Sequence, residues 1–250
     1  MADKNTIIYG FQPVMEAIDA GREIEKLFLL SNLHPGKLRD LKKAATILKI
    51  PFQFVPKEKL NRLTRQNHQG VVAFVSPIEY GKIDNIVPGL YEAGKVPFLL
   101  ILDKVTDVRN LGSIARTAEC AGVQAIILPS HGSAMINADA IKTSAGALNK
   151  LDVCRVPNLK ETIAYLKESG IKVVAASEKA QKSVYQTDFK KPVAVIMGSE
   201  EKGVSEAYLE LCNEIVSIPM LGETQSLNVS VATGIILFEG VKQRVSENNA

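Results

Sequence analysis

Six apolar runs in the second part of the chain constrain its fold more than any other feature. FLLILD, VQAIILP, DVCRV, KVVAAS, VAVIMG and EIVSIP follow one another from residue 98 and are nearly continuous in apolar residues. Strands that are buried on both faces of a parallel sheet have this pattern. Helix-like segments separate the runs, so residues 98–250 predict an α/β domain with a mostly parallel sheet.

The first part of the chain alternates shorter β-like and helix-like runs. IEKLFLL and FQFV read as strands, KEKLNRL reads as a short helix, and residues 35–49 predict an amphipathic helix with Leu38, Leu41, Ala45 and Leu48 on one face. Residues 1–77 therefore predict a small α/β domain. Residues 78–97 lack strong periodicity and carry Pro88 and Gly89 mid-stretch, which predicts a linker with room for one short helix.

Composition argues against several classes of protein. The three cysteines are far apart without CxxC spacing, which favours a reducing cytosol over a disulfide framework or a zinc site. The three histidines are scattered, so no metal site is expected. The apolar runs are too short to span a membrane, and the N-terminus lacks a signal-peptide pattern, so we predict a cytoplasmic protein. A net charge of +3 permits nucleic acid as a partner without demonstrating it.

Polar residues follow three of the predicted strands, at residues 102–118, 197–205 and 218–234. Ligands of parallel sheets bind outside the carboxyl ends of the strands. At the first of these ends, Asn110 suits the N-cap of a helix, and Arg116 lies on the flank of that helix. Each has two interpretations: a cap or a catalytic amide for Asn110, and a solvated charge or a substrate contact for Arg116.

The second strand end, MGSEEKGVS, has the spacing of a phosphate-binding P-loop without its lysine. Gly198 and Gly203 keep the glycine spacing, but Val204 occupies the lysine position, and the neighbouring Glu200 and Glu201 would repel phosphate. Two interpretations remain: an ordinary connection with Ser205 as an N-cap, or a loop for a ligand that is not anionic.

The third strand end contains more small polar residues than one helix cap requires. Ser226, Asn228 and Ser230 stand together before an apolar helix-like segment. Capping explains one of them. The surplus predicts a helix N-terminus that packs close to a ligand or to another segment of backbone.

In their order along the chain, NLGSIARTA, GSExxG and IPMxGxxxSLNVSVA resemble the three motifs of the SpoU (TrmH-like) RNA ribose 2′-O-methyltransferases of the SPOUT superfamily. TIIYGFQPVMEAI and NHQGVVA resemble the small substrate-binding domain of the subgroup that methylates guanosine in bacterial 23S rRNA. That domain is similar to kink-turn-binding ribosomal proteins. The resemblance implies a trefoil-knotted catalytic domain, a small RNA-binding domain, S-adenosylmethionine as cofactor and a homodimer.

The resemblance also implies roles for individual residues. The implied catalytic residues are Arg116, Asn110, Glu200, Ser226 and Asn228. The implied cofactor-binding residues are Met197, Gly198, Ile218, Pro219, Met220, Ser226 and Leu227. An arginine is a poor base because of its high pKa, so electrostatic positioning is favoured over proton removal for Arg116.

RNA rather than DNA is the expected partner, because the implied nucleophile is a 2′-hydroxyl. The segment NRLTRQNHQG supplies Arg62, Arg65 and His68 as candidate RNA contacts, and Arg109 is a fourth. A solvated helix face is the alternative for this basic segment. For the whole chain, the alternatives are methylation of tRNA or of another rRNA site, including resistance modifications, and a non-catalytic RNA-binding or ribosome-assembly protein.

Overall fold

The computed structural model describes residues 7–224 and 226–248. The chain divides into two compact units. The small unit contains the chain up to Glu79 together with Met135–Ala138, and the large unit contains Tyr80–Ala134 and the chain from Asp139 onward.

From residue 7 onward, the small unit consists of a four-stranded sheet with three helices. Its elements in chain order are β1 (Ile7–Tyr9), α1 (Phe11–Asp19), β2 (Ile24–Leu30), α2 (Pro35–Ile47), β3 (Phe52–Val55), α3 (Lys57–Leu63) and β4 (Val71–Val75). The sheet order is β1-β4-β2-β3. β4 pairs antiparallel with β1 and β2, and β3 pairs parallel with β2 at one edge of the sheet.

Each face of this sheet buries its own set of side chains. Leu27, Leu29 and Leu41 belong to the core beneath α1 and α2, whereas Phe28 and Leu60 pack on the α3 face. The period-2 alternation of a strand produces this division. Leu48, predicted on the buried face of α2, is 53% exposed. The helix ends at Ile47 and Lys49 adopts a left-handed φ of 55°, so the helical face does not continue to residue 48.

A six-stranded parallel sheet forms the centre of the large unit. Its elements in chain order are α4 (Ile83–Glu92), β5 (Phe98–Leu102), α5 (Val108–Cys120), β6 (Ala125–Pro129), α6 (Ala138–Thr143), β7 (Asp152–Val156), α7 (Leu159–Glu168), β8 (Lys172–Ala176), β9 (Val193–Met197), α8 (Glu206–Leu209), β10 (Glu214–Val216) and α9 (Val229–Asn248). The sheet order is β10-β8-β9-β5-β6-β7, and every neighbouring pair is parallel.

The predicted parallel α/β architecture is confirmed. All residues of β5 and β9 are buried, as expected for strands covered by helices on both faces. The predicted linker, residues 78–97, contains α4, whose Ile83, Val87 and Leu90 belong to the core of the large unit. Across the described ranges 7–224 and 226–248, none of the helices combines the length and apolarity needed to cross a membrane.

Candidate active site

Sheet order brings two of the three polar strand ends together, and the course of the chain brings the third. β5 and β9 are neighbours, and Leu102 lies opposite Met197 in their register. The segments that follow these strands therefore leave the sheet at the same place, the carboxyl ends of two neighbouring strands. β10 lies beyond β8 at the edge, so the segment that follows it must return over the sheet to reach them.

The amino end of α5 presents Asn110 as a side chain that does not cap its own helix. Asp107 is the N-cap residue, and its Oδ1 accepts the Asn110 backbone N–H at 2.8 Å. The interpretation of Asn110 as a cap is therefore wrong, because the acidic residue three positions earlier performs this function. The Asn110 side-chain Nδ2 instead donates to Glu200 Oε1 at 3.2 Å.

Glu200 joins the three strand ends through one carboxylate oxygen. Its Oε1 accepts from the side-chain Nδ2 of Asn110, from Nδ2 of Asn228, and from the backbone N–H of Val229 at 3.4 Å. Val229 is the first residue of α9. The carboxylate therefore lies at the positive end of a helix dipole, where negative charge is stabilised.

Asn228 caps α9 and connects it to the other two segments. Its Oδ1 accepts the Ser230 backbone N–H at 2.9 Å, and its Nδ2 donates to Asn110 Oδ1 at 3.1 Å as well as to Glu200. Three residues predicted from separate motifs thus form one hydrogen-bonded cluster. We call Asn110, Glu200 and Asn228 the amide–carboxylate cluster.

The loop that carries Glu200 folds back tightly on its own backbone. Ser199 and Gly203 exchange two backbone hydrogen bonds, and Gly203 has a left-handed φ of 65°. A Cβ on Gly198 would lie 1.9 Å from the carbonyl carbon of Gly203, so only glycine fits there. The buried carboxylate of Asp103 anchors the far side of the loop by accepting the Ser205 backbone N–H at 2.8 Å.

Beside the cluster lies a cavity of about 410 Å³. Its lining includes six of the seven residues predicted to bind the cofactor, namely Met197, Gly198, Ile218, Met220, Ser226 and Leu227, and it also includes Glu200. Pro219, the seventh, is exposed and lies outside the lining. Sequence reasoning missed the contribution of β8, whose end supplies Ala176 and Ser177. The polar residues after KVVAA were the available signal.

A group of charged residues fixes the segment before the third motif. Glu214 pairs with Lys172 and Lys182 and accepts a hydrogen bond from Thr187. Partial burial acts to raise the pKa of Glu214, but the hydrogen bonds from the two lysines outweigh it and hold the pKa below its ordinary value. Ser217, which directly precedes the third motif, donates its backbone N–H to the Lys182 carbonyl at 2.8 Å.

Arg116 lies apart from the amide–carboxylate cluster. It follows Asn110 by six residues on α5, about 9 Å further along the axis. Its side chain is exposed and makes no hydrogen bond or ion pair within residues 7–224 and 226–248. The guanidinium is therefore available to a ligand. Arg109 lines a separate cavity of about 580 Å³ together with Asp107, Asp139 and Lys142.

The candidate RNA contacts of the small unit divide into two kinds. Arg62 and Arg65 are exposed. His68 is only 7% exposed; its Nδ1 accepts the Gly70 backbone N–H at 3.0 Å, and its Nε2 lies 2.9 Å from Asn61 Oδ1. This geometry assigns the ring proton to Nε2, which donates to Asn61. His68 thus holds the turn before β4, and we do not retain it as an RNA contact.

Comparison with known proteins matches both units. The family model described as the SpoU rRNA Methylase family matches residues 97–238, and the one described as RNA 2'-O ribose methyltransferase substrate binding matches residues 7–81. The 23S rRNA (guanosine-2'-O-)-methyltransferase RlmB of Photorhabdus laumondii is 40% identical over 243 residues, which cover 96% of this chain and 99% of that protein.

Two solved structures illustrate the similarity of the fold. The SpoU methyltransferase AviRb of Streptomyces viridochromogenes, in complex with the cofactor AdoMet, is 26% identical with a TM-score of 0.61; the match covers 96% of this chain and 90% of that chain. The TrmH/SpoU tRNA modifying enzyme of A. aeolicus is 29% identical with a TM-score of 0.57, and that match covers 66% of this chain and 85% of that chain.

Proposed function

The chain belongs to the SpoU rRNA Methylase family, and on that premise we propose that it transfers a methyl group to the ribose 2′-hydroxyl of a guanosine in 23S rRNA. It is an RNA 2′-O-ribose methyltransferase that uses S-adenosylmethionine. The observation that carries the proposal is the convergence of Asn110, Glu200 and Asn228, which come from three separate motifs, beside one cavity.

The lining of the cavity fits this cofactor. Met197, Ile218 and Leu227 offer apolar contacts to an adenosine, and Gly198 contributes backbone atoms to the lining. Carboxylates also outnumber ammonium groups in the lining, with Glu178, Glu200, Glu201 and Glu206 against Lys179 and Lys202. An acidic and partly apolar cavity suits a cationic sulfonium and disfavours a phosphate.

When bound, S-adenosylmethionine supplies an electrophilic methyl group. The chain must then orient the ribose and polarise its weakly acidic hydroxyl. In our proposal the exposed Arg116 binds the phosphate next to the target ribose, because its guanidinium has no partner within the described ranges. Glu200 Oε1 is already shared by two amides, so Glu200 positions Asn110 and Asn228. Asn110 keeps one amide N–H for a substrate oxygen.

A trefoil knot in the large unit is part of the proposal. β10 is an edge strand, and β8 separates it from β9. Asn228, which follows β10, nevertheless contacts Glu200, which follows β9. The next helix, α9, packs against α5. The chain therefore returns across two strands before its last helix begins. This course, together with the close backbone contact at Gly198, supports a chain threaded beneath its own loop.

A homodimer is also proposed, through the exposed side of α9. Val231, Phe238 and Val245 recur every seven residues and are 50%, 47% and 51% exposed. Seven-residue spacing aligns them on one face, and an apolar stripe of this kind favours helix–helix association.

A tRNA substrate is the second candidate, because the family includes a tRNA modifying enzyme of similar fold. That match covers only 66% of this chain, whereas RlmB aligns over 96% of it. The additional small unit and its match to a substrate-binding family model support rRNA as the substrate. Such a substrate would also make the cytoplasm the site of the reaction.

Transfer of labelled methyl from S-adenosylmethionine to unmodified 23S rRNA tests the proposal, with unmodified tRNA as the competing substrate. Arg116→Ala and Asn110→Ala are expected to abolish most transfer, because one orients the RNA and the other contacts the ribose. Lys95→Ala, which removes an exposed cation before β5, is the control and should retain the wild-type rate. RNA binding without cofactor binding or turnover would show that the chain is a non-catalytic RNA-binding protein.

A further inference from the structure

Two exposed phenylalanines stand on the edge strand of the small unit. Phe52 and Phe54 are 38% and 39% exposed, and both project to the same face of β3. Their rings contact each other edge to face, with centroids 5.9 Å apart. The pair therefore presents aromatic surface to solvent in a fixed arrangement.

The main chain of the same residues also faces outward. Among the residues that the structure describes, β3 pairs with β2 alone, and the Leu27 backbone N–H donates to the Pro51 carbonyl at 2.9 Å. In a parallel pair, alternate residues of a strand bond to the neighbour. Pro51, Gln53 and Val55 thus face β2, whereas Phe52 and Phe54 direct their N–H and C=O groups away from the sheet.

Positive charge surrounds this edge. Residues 35–65 contain nine lysines and arginines against two acidic residues, Asp40 and Glu58. The Lys42 ammonium lies 5.1 Å from the centroid of the Phe54 ring. On the opposite face of the sheet, the ammonium groups of Lys26 and Lys59 lie 5.1 and 5.5 Å from the Phe28 ring centroid.

The lysines beside the edge lack acidic partners. Lys26, Lys42 and Lys59 form no ion pair within residues 7–224 and 226–248. Burial, followed by the positive charge of Lys59, lowers the pKa of Lys26. A bound anion would relieve the repulsion between these two ammonium groups.

We propose that Phe52 and Phe54 form a stacking platform for unpaired RNA bases, with Lys42, Lys26 and Lys59 holding the adjoining phosphates. Aromatic side chains within a basic surface bind single-stranded nucleic acid in this way. The outward N–H and C=O groups can also pair with base edges. The proposal rests on the RNA substrate proposed above and assigns that substrate a contact surface on the small unit.

The surroundings favour RNA over a protein strand as the occupant. An edge strand can also extend the sheet of another protein. Lys42 on α2 lies beside the Phe54 ring and opposes that pairing, because its ammonium group would lose hydration at a protein interface. A phosphate backbone instead gains from every lysine, and base stacking tolerates any sequence.

The absence of tryptophan from the chain provides a direct test. Phe54→Trp places a single tryptophan on the platform, and Tyr9→Trp places one on β1 at the opposite edge of the same sheet. The full chain is titrated with a ten-nucleotide single-stranded RNA of mixed sequence. Fluorescence of the Phe54→Trp protein is expected to be strongly quenched by stacked bases, and that of the Tyr9→Trp control is expected to be unchanged.

A second measurement uses leucine, which keeps apolar packing but removes the aromatic face. The Phe52→Leu/Phe54→Leu double variant is expected to bind the same RNA at least about tenfold more weakly, whereas Tyr9→Leu binds as wild type. Affinity for S-adenosylmethionine, measured by calorimetry, should not change in either. Lys42→Ala leaves both rings in place and should weaken RNA binding by about threefold to tenfold.

The outcomes separate this inference from the proposed function. Quenching at position 54 without methyl transfer to any RNA supports the platform and rejects the enzyme assignment. Methyl transfer with no quenching, and with wild-type RNA affinity in the double variant and in Lys42→Ala, overturns the platform and leaves the enzyme assignment intact. A change of oligomeric state in the double variant with unchanged RNA affinity would also overturn it, in favour of a protein interface.

Discussion

The two units of the chain differ in charge and in the way their strands are exposed. From residue 7 to residue 79 there are eleven lysines and arginines against seven acidic residues, whereas from residue 80 onward there are eighteen against nineteen. β5 and β9 of the large unit are fully buried, while β3 of the small unit exposes three of its four residues. In the function proposed above, the basic small unit would bind RNA and the nearly neutral large unit would hold the cofactor in its cavity.

Gly198→Ala has the largest expected effect, and it tests whether cofactor binding can be lost while RNA binding is kept. The new Cβ would lie 1.9 Å from backbone, so the loop must move, at a cost of roughly 3 kcal/mol or more, and cofactor binding should be lost. RNA binding by the small unit should persist. Calorimetry with S-adenosylmethionine and RNA titration measure the two separately.

The control for that substitution is Gly89→Ala. Gly89 lies inside α4, and apart from its chain neighbours and the backbone of its own helix no described atom comes within 4 Å of a Cβ placed there. Alanine should therefore stabilise the helix by about 0.5–1 kcal/mol and leave both ligands bound. Equal loss of RNA and cofactor binding in Gly198→Ala would contradict the separation of the units.

Asn228→Ala and Asn158→Ala compare two helix caps within the large unit. Asn158 caps α7 by accepting the Lys160 backbone N–H, as Asn228 caps α9. Each substitution should cost about 1 kcal/mol of the free energy of unfolding. Only Asn228→Ala also releases Asn110 and Glu200, and it should slow methyl transfer about a hundredfold. Equal rates of methyl transfer in the two variants would show that the amide–carboxylate cluster has no catalytic role.

The salt dependence of RNA binding tests whether the cations of the small unit contact RNA phosphates. Arg62→Ala with Arg65→Ala removes two exposed cations, so the slope of log K against log salt should fall by about 1.4. Lys95→Ala with Lys191→Ala removes two exposed cations that precede β5 and β9. These cations lie at the amino ends of the strands, whereas the cavity lies at the carboxyl ends. This pair should leave the slope unchanged, and equal slopes for the two double variants would refute an RNA surface on the small unit.

Glu214→Gln carries the smallest expected effect and depends on pH. The folded-state pKa of Glu214 is depressed, so its contribution to stability is present above the unfolded value of about 4.3 and is lost as pH falls through the folded pKa. The variant should unfold more easily at pH 7 by roughly 0.5–1 kcal/mol. This deficit should shrink towards pH 3 in thermal unfolding, and a deficit independent of pH would point to lost packing instead of lost charge.

Local patterns predicted the elements of both units well. IEKLFLL, FQFV and KEKLNRL coincide with β2, β3 and α3, because alternation and helical periodicity report which side of a short segment is buried. The same reasoning failed at the start of α5. Asp107 and Asn110 are both good caps, and which of them performs that function depends on where the helix begins.

By itself, the sequence determined the buried parallel strands, the basic small unit and the three polar strand ends, since each depends on residues close together in the chain. Only the tertiary structure decided that Asn228, which follows the edge strand β10, meets Glu200 and Asn110. Only the structure showed that Phe52 and Phe54 stay exposed while His68 is buried. Burial and contact at these positions depend on which distant segments cover them, and that information is absent from local periodicity.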